Sequence, residues 1–150
     1  MRTLLALPFL FLAACSSDAG EPAPEPVSEP AAATTTSGSV VRIVSPAEGD
    51  TVDGPDVTVA LDVSGVRIVQ AGDTTSGTGH HHLYLDADLT PADQPVPTVP
   101  GSIIHMGDAS TSYTFTGVEP GEHRIIAVVG DGVHVPLQPW VVDTVRFIVR

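Results

Sequence analysis

The chain has a single cysteine, Cys15, and neither lysine nor asparagine. One cysteine cannot form an intramolecular disulfide, and it offers no group of thiolates to a metal. The fold must therefore hold by burial and hydrogen bonding, for which residues 39–150 provide enough chain. Codons for lysine and asparagine both begin with two adenines, so a GC-rich genome explains their absence without appeal to function. The 6 cationic side chains are all arginine and face 18 acidic ones, for a formal charge of −12. Nucleic acid, whose phosphates demand lysine and arginine, is excluded as an expected partner. The same charge argues against a domain lying flat on an anionic lipid surface. It would attract cations, although solubility alone accounts for it equally well.

Long apolar runs are also missing. The longest, Leu4 to Ala14, follows Met1-Arg2-Thr3 and stops at Cys15. It is short of the roughly 20 residues that span a bilayer. A cation followed by a short apolar segment at the N-terminus is the pattern of an export signal. Leu12-Ala13-Ala14-Cys15 resembles the lipobox of bacterial lipoproteins, which implies cleavage before Cys15 and lipid on its thiol. Residues 1–14 are then the signal peptide and Cys15 the lipidation site. Loss of Arg2 would take the formal charge from −12 to −12 − 1 = −13. Acyl chains contribute about 0.8 kcal/mol per buried CH2, and more than one chain is needed for stable anchoring. The expected location is the bacterial cell envelope, facing the periplasm or the exterior, with the membrane reached through the lipid.

Residues 15–38 alternate Pro22, Pro24, Pro26 and Pro30 with Glu21, Glu25 and Glu29. Almost nothing there is apolar, so an extended, solvated tether is expected. From Ser39 the texture changes, and residues 39–150 read as one domain. No window has a convincing helical period. Seven β-prone runs stand out: Val40–Val44, Val57–Val63, Val66–Val69, His80–Asp86, Ser112–Phe115, Arg124–Val129 and Val141–Val149. Gly, Pro and Asp separate them. Short strands between turn signals imply an all-β, antiparallel sandwich of about seven strands. Ile43 to Val52 resembles the first strand and turn of bacterial immunoglobulin-like modules. Val118 to Ile125 resembles their entry into the sixth strand, with His123 as a polar ring at the corner between sheets. Nothing calls for an obligate oligomer.

Six histidines in an acidic chain are the most informative chemical feature. On a strand, side chains alternate, so His80, His82 and Tyr84 share one face while His81, Leu83 and Leu85 share the other. His81 is expected to pack in the core, and His123 to be structural. His80 and His82 form a His-x-His pair, a spacing at which two imidazoles can reach one ion at ~2.0–2.1 Å. His105 and His134 fall in expected connections that a sandwich could bring to the same end. These four are the candidate metal ligands, with Met106 and Asp131 as weaker ones. Methionine would suit copper in either oxidation state, whereas Asp131 or Asp108 would suit zinc. Imidazoles that merely form a hydrogen-bonded core explain the same residues, and the spacing alone does not decide between the two.

Catalytic patterns are absent. Gly77-Thr78-Gly79 has no lysine and precedes a strand rather than a helix, unlike a phosphate loop. No serine sits in a nucleophile elbow. The carboxylates lie scattered in turns and the tether, with no sign of a carbohydrate cleft. A binding module is expected, not an enzyme.

Four motifs occur in order: Gly77 to Asp86, Ile104 to Asp108, Pro120 to His123 and Gly130 to Pro136. Together they resemble the bacterial family called domain of unknown function 4399, over about residues 77–150. The resemblance implies an exported protein or lipoprotein and marks His80, His82, His105, His123 and His134 as family histidines. His81 is an additional one between the first pair. Family members often carry Phe and then Gly-Lys-Gly after the second-motif histidine, where this chain has Met106-Gly107-Asp108. The family has no established biochemical activity. The sequence thus leads to a lipid-anchored envelope module that binds copper or zinc through histidines. The competing reading is an interaction domain for an envelope protein or glycan, with histidines that only pack.

Overall fold

The computed structural model of the chain describes residues 38–150. The expected export signal, Cys15 and most of the expected tether lie outside the described residues. Nine strands and no helix occur among the described residues: β1 (Val40–Ser45), β2 (Thr51–Val52), β3 (Val57–Ser64), β4 (Arg67–Ile68), β5 (Thr78–Leu85), β6 (Ile103–Met106), β7 (Ser112–Phe115), β8 (Gly121–Gly130) and β9 (Val142–Val149). The seven β-prone runs all contribute strands. The two additions are β2 and β6, and β6 contains His105, which the sequence had assigned to a connection. Only four residues long, β6 lacks a period of its own. Its partner strand creates it.

Two sheets face one another. The smaller has the order β1-β3-β7, all antiparallel. The larger runs β2-β9-β8-β5, with β4 and β6 occupying successive stretches of the free flank of β5. Alternation along β1 and β3 sends Val41, Ile43, Val57, Val59 and Leu61 inward, where they meet Leu83, Ile104, Met106, Ile125, Ala127, Val129, Val145 and Phe147 of the larger sheet. This is the dry layer between two half-apolar sheets that drives a sandwich to close.

The larger sheet is buried on its other face as well. Tyr84, Ile103, Ile126 and Val128 form a second apolar cluster there with Val96, which comes from the long β5–β6 connection. Loops rather than a third sheet cover this face. Val96 N–H donates to His134 C=O at 2.9 Å, tying the β5–β6 connection to the β8–β9 loop. Consequently β5 is hidden on both sides, and its burial extends from Thr78 through Tyr84.

At the opposite end stands the expected corner. His123 lies on β8, with one ring nitrogen 2.7 Å from Asp86 Oδ2 and the other 2.8 Å from Glu119 C=O. Both partners are acceptors, an arrangement that favours the doubly protonated imidazolium. Burial alone would lower its pKa, but these hydrogen bonds and the Asp86 charge outweigh that and raise it.

Candidate metal centre

The alternation of β5 puts His80 and His82 on the outer, loop-covered face, and His81 toward the core between the sheets. His82 sits opposite His105 in the β5–β6 register and opposite Val128 in the β5–β8 register. Because His82 and His105 are cross-strand partners on one face, their rings stack, with centroids 5.3 Å apart. His134 arrives from the β8–β9 loop. Six centroid separations among His80, His82, His105 and His134 span 4.6 to 5.7 Å. One nitrogen of each ring can be chosen so that all four lie within 4.8 Å of one another.

The surroundings are built to admit these rings. A Cβ on Gly130 would come within 2.9 Å of His82 Cε1, and one on Gly107 within 2.5 Å of His105 Cε1. At both positions the missing side chain makes room for an imidazole. Asp131 shapes the His134 loop. Its Oδ1 accepts from the backbone N–H groups of Val133 and Val135, each at 2.9 Å. His134 between them has φ +71°, a left-handed conformation that few non-glycine residues adopt. The segment Gln70 to Asp73 then joins the turn after β6 to the His134 loop. Ala71 N–H donates to Gly107 C=O at 3.0 Å, and Gly72 N–H to Gly132 C=O at 3.1 Å.

The electrostatics are those of neutral imidazoles. Burial is the main cause that lowers the pKa of His80 to about 4, with His105 and His134 adding to it and Asp131 opposing. His82 falls to about 3, again mainly through burial and then through His80, His105 and His134. His105 is also lowered by burial, while Asp108 pulls the other way. A neutral imidazole offers a lone pair, which is the form a metal ion requires.

Hydrogen bonding within the cluster is sparse. His80 Nε2 and His134 Nδ1 stand 3.1 Å apart. His80 Nδ1, both nitrogens of His82 and His105 Nε2 are buried without a hydrogen-bond partner. Leaving a buried polar atom unpaired costs about 1–3 kcal/mol. Two donors of a tetrahedral ion at ~2.0 Å stand ~3.3 Å from each other, close to the His80–His134 spacing. The cluster therefore has the donor type for one ion, with one pair at that spacing and all four nitrogens within 4.8 Å of one another.

The remaining candidates separate from this group. Met106 faces the core between the sheets with Leu83 and Ile104, on the side of β6 away from His105. Asp131 is engaged in its loop and stands outside the four-histidine group. Asp108 Oδ1 likewise accepts from Ser110 N–H at 3.0 Å. His81 is buried in the core with neither ring nitrogen partnered, and burial lowers its pKa to about 4. The sequence signalled none of the roles of Gly107, Gly130 or the Gln70–Asp73 strap. The glycines read as ordinary turn residues, and the strap acts only through long-range contacts.

Fold and cluster define an immunoglobulin-like β-sandwich domain with four histidines gathered under loops on the outer face of one sheet. The sequence pattern of the domain of unknown function DUF4399 matches residues 59–150, and the chain belongs to that family. No curated protein matches it. Among solved structures, fibronectin(III)-like modules of Clostridium thermocellum CbhA are similar at 16% identity and a TM-score of 0.46, over 74% of this chain and 97% of theirs. An engineered protein is similar at 16% identity and a TM-score of 0.44, over 77% of this chain. The present chain spans only 21% of that protein's length.

Proposed function

We propose that this protein is a metal-binding module of the bacterial cell envelope, held to a membrane by lipid on Cys15, and that His80, His82, His105 and His134 bind one transition-metal ion, copper or zinc. One observation carries the metal reading. Nitrogens from four imidazoles brought from β5, β6 and the β8–β9 loop converge within 4.8 Å, and most of the buried ones have no other partner. A purely structural cluster would be expected to pair those nitrogens, since buried polar groups are nearly always hydrogen-bonded. The reaction motifs are lacking, so the function is binding rather than catalysis. The competing reading is an interaction domain for an envelope protein or glycan.

Thermal unfolding of the metal-stripped protein with added zinc or copper tests this. An ion that binds only the folded state at a hundredfold excess over Kd stabilises by about 2.7 kcal/mol. For a domain of this size that raises Tm by on the order of 10 °C. Replacing His80 and His82 together by Ala should abolish the rise. If neither ion shifts Tm, the metal reading is wrong and the interaction domain takes its place. The anchor has its own test. Cys15→Ala should abolish acyl labelling and release the protein from the membrane fraction, and unchanged labelling and fractionation would contradict it.

A further inference from the structure

Imidazole binds a metal as an uncharged donor, so an ion held by the four histidines would bring its whole charge to the site. Two carboxylates belong to the turns beside the ligands: Asp131 C=O accepts from His134 N–H at 3.0 Å, and Asp108 bridges to Gln70 just past β6. Asp131 sits at the root of the His134 loop, and its charge acts on His80. Asp108 follows β6, and its charge acts on His105. In each, Oδ1 accepts from the backbone of its own turn, at Val133 and Val135 or at Ser110. The carboxylates thus stand in the adjoining turns, outside the four-histidine group. The buried nitrogens of His80 and His82 supply the independent sign of a missing ligand. No sulfur joins the group, because Met106 is packed on the opposite face of β6 and no cysteine lies in residues 38–150.

We propose that the site is built for a divalent ion of borderline softness, copper(II) or zinc(II), in preference to copper(I), with Asp108 and Asp131 balancing its charge from outside the ligand set. This rests on the metal-binding reading above and specifies it. A doubly charged ion with two carboxylates makes a neutral unit, whereas copper(I) leaves a surplus negative charge. Copper(I) is selected by thiolate and thioether donors, and imidazole suits zinc and copper(II). The use of aspartate where asparagine could form the same turn is not informative in a chain without asparagine. What points to the charge is where these two carboxylates stand.

Asparagine keeps the Oδ1 acceptor and removes the charge, exchanging Oδ2 for an NH2 donor. Affinities of the metal-stripped protein are measured for zinc(II), for copper(II), and for copper(I) under reductant against a copper(I)-chelating competitor. Wild type should bind copper(II) more tightly than copper(I). The double variant D108N/D131N should keep the Tm of the metal-free protein and lose about tenfold or more in affinity for zinc(II) and copper(II). Coulomb energy scales with the ion's charge, so the loss for copper(I) should be about the square root of that for copper(II). Tighter binding of copper(I) than of copper(II), or divalent affinity unchanged in the double variant, overturns this inference and leaves the metal site standing. A wild-type protein that binds none of the three ions overturns both.

Discussion

His81 and His123 illustrate opposite consequences of burying an imidazole. His123 gives each ring nitrogen an acceptor, and the resulting cation stitches Asp86 and Glu119 to β8 at the corner. His81 enters the core with neither nitrogen paired. Removing the first should destabilise. His123→Ala should lower stability by about 1 kcal/mol, because it removes the hydrogen bonds to Asp86 and the Glu119 carbonyl, both of which can turn to water. Chemical denaturation reads this, and the loss should be the same with or without metal. Removing the second should not destabilise. His81→Leu exchanges an unpaired polar ring for an apolar side chain, a change that is nearly neutral or stabilising where no partner is lost. A stability loss of several kcal/mol in that variant would mean that His81 has a partner or a function.

At the scale of elements, the decisive unit is β5 with the strands and loops that enclose it. Its alternation was legible in the sequence, since His-His-His-Leu-Tyr-Leu assigns a face to every residue once the segment is a strand. The core face of the sandwich was legible for the same reason. Two things were not. Four residues give β6 no readable period, so His105 appeared to lie in a connection, whereas pairing with β5 places it opposite His82. Nor did the sequence reveal that the outer face of β5 is covered. The cover comes from Val96, from Gln70 to Asp73 and from the His134 loop, whose contacts run between residues far apart in the chain. The four-histidine group was foreseen as a set, but the burial of His80 and His82 within it follows from this cover. Gly107 tests how closely the elements fit. Gly107→Ala would drive a methyl against the His105 ring and the Ala71 side chain. Metal affinity should fall about tenfold or more, roughly 1.4 kcal/mol. Unchanged affinity in a calorimetric titration would show that the ring has freedom to move.

For the whole molecule, the histidines make stability depend on pH in two directions. His80, His81 and His82 titrate below the ordinary imidazole value when folded, at about 4, 4 and 3. Their stability contribution is complete above pH ~6.5, the unfolded value. It is lost as pH falls from there through the folded values, because the unfolded chain takes up protons first. His123 is raised, so its contribution is complete below pH ~6.5 and lost as pH rises through its folded value. The metal-free protein should therefore unfold at progressively lower denaturant as the medium is acidified from neutrality toward pH 4, and binding of metal should steepen that dependence, because protons and metal compete for the same nitrogens. With no disulfide available, reductant should leave the metal-free stability unchanged. The central claim is that His80, His82, His105 and His134 hold one ion, and a calorimetric titration of the chelator-stripped protein with zinc(II), run beside the His80→Ala, His82→Ala double variant, addresses it most directly. The account predicts one equivalent bound by wild type and none by the variant. No heat of binding in wild type, or the same isotherm from both proteins, would contradict it.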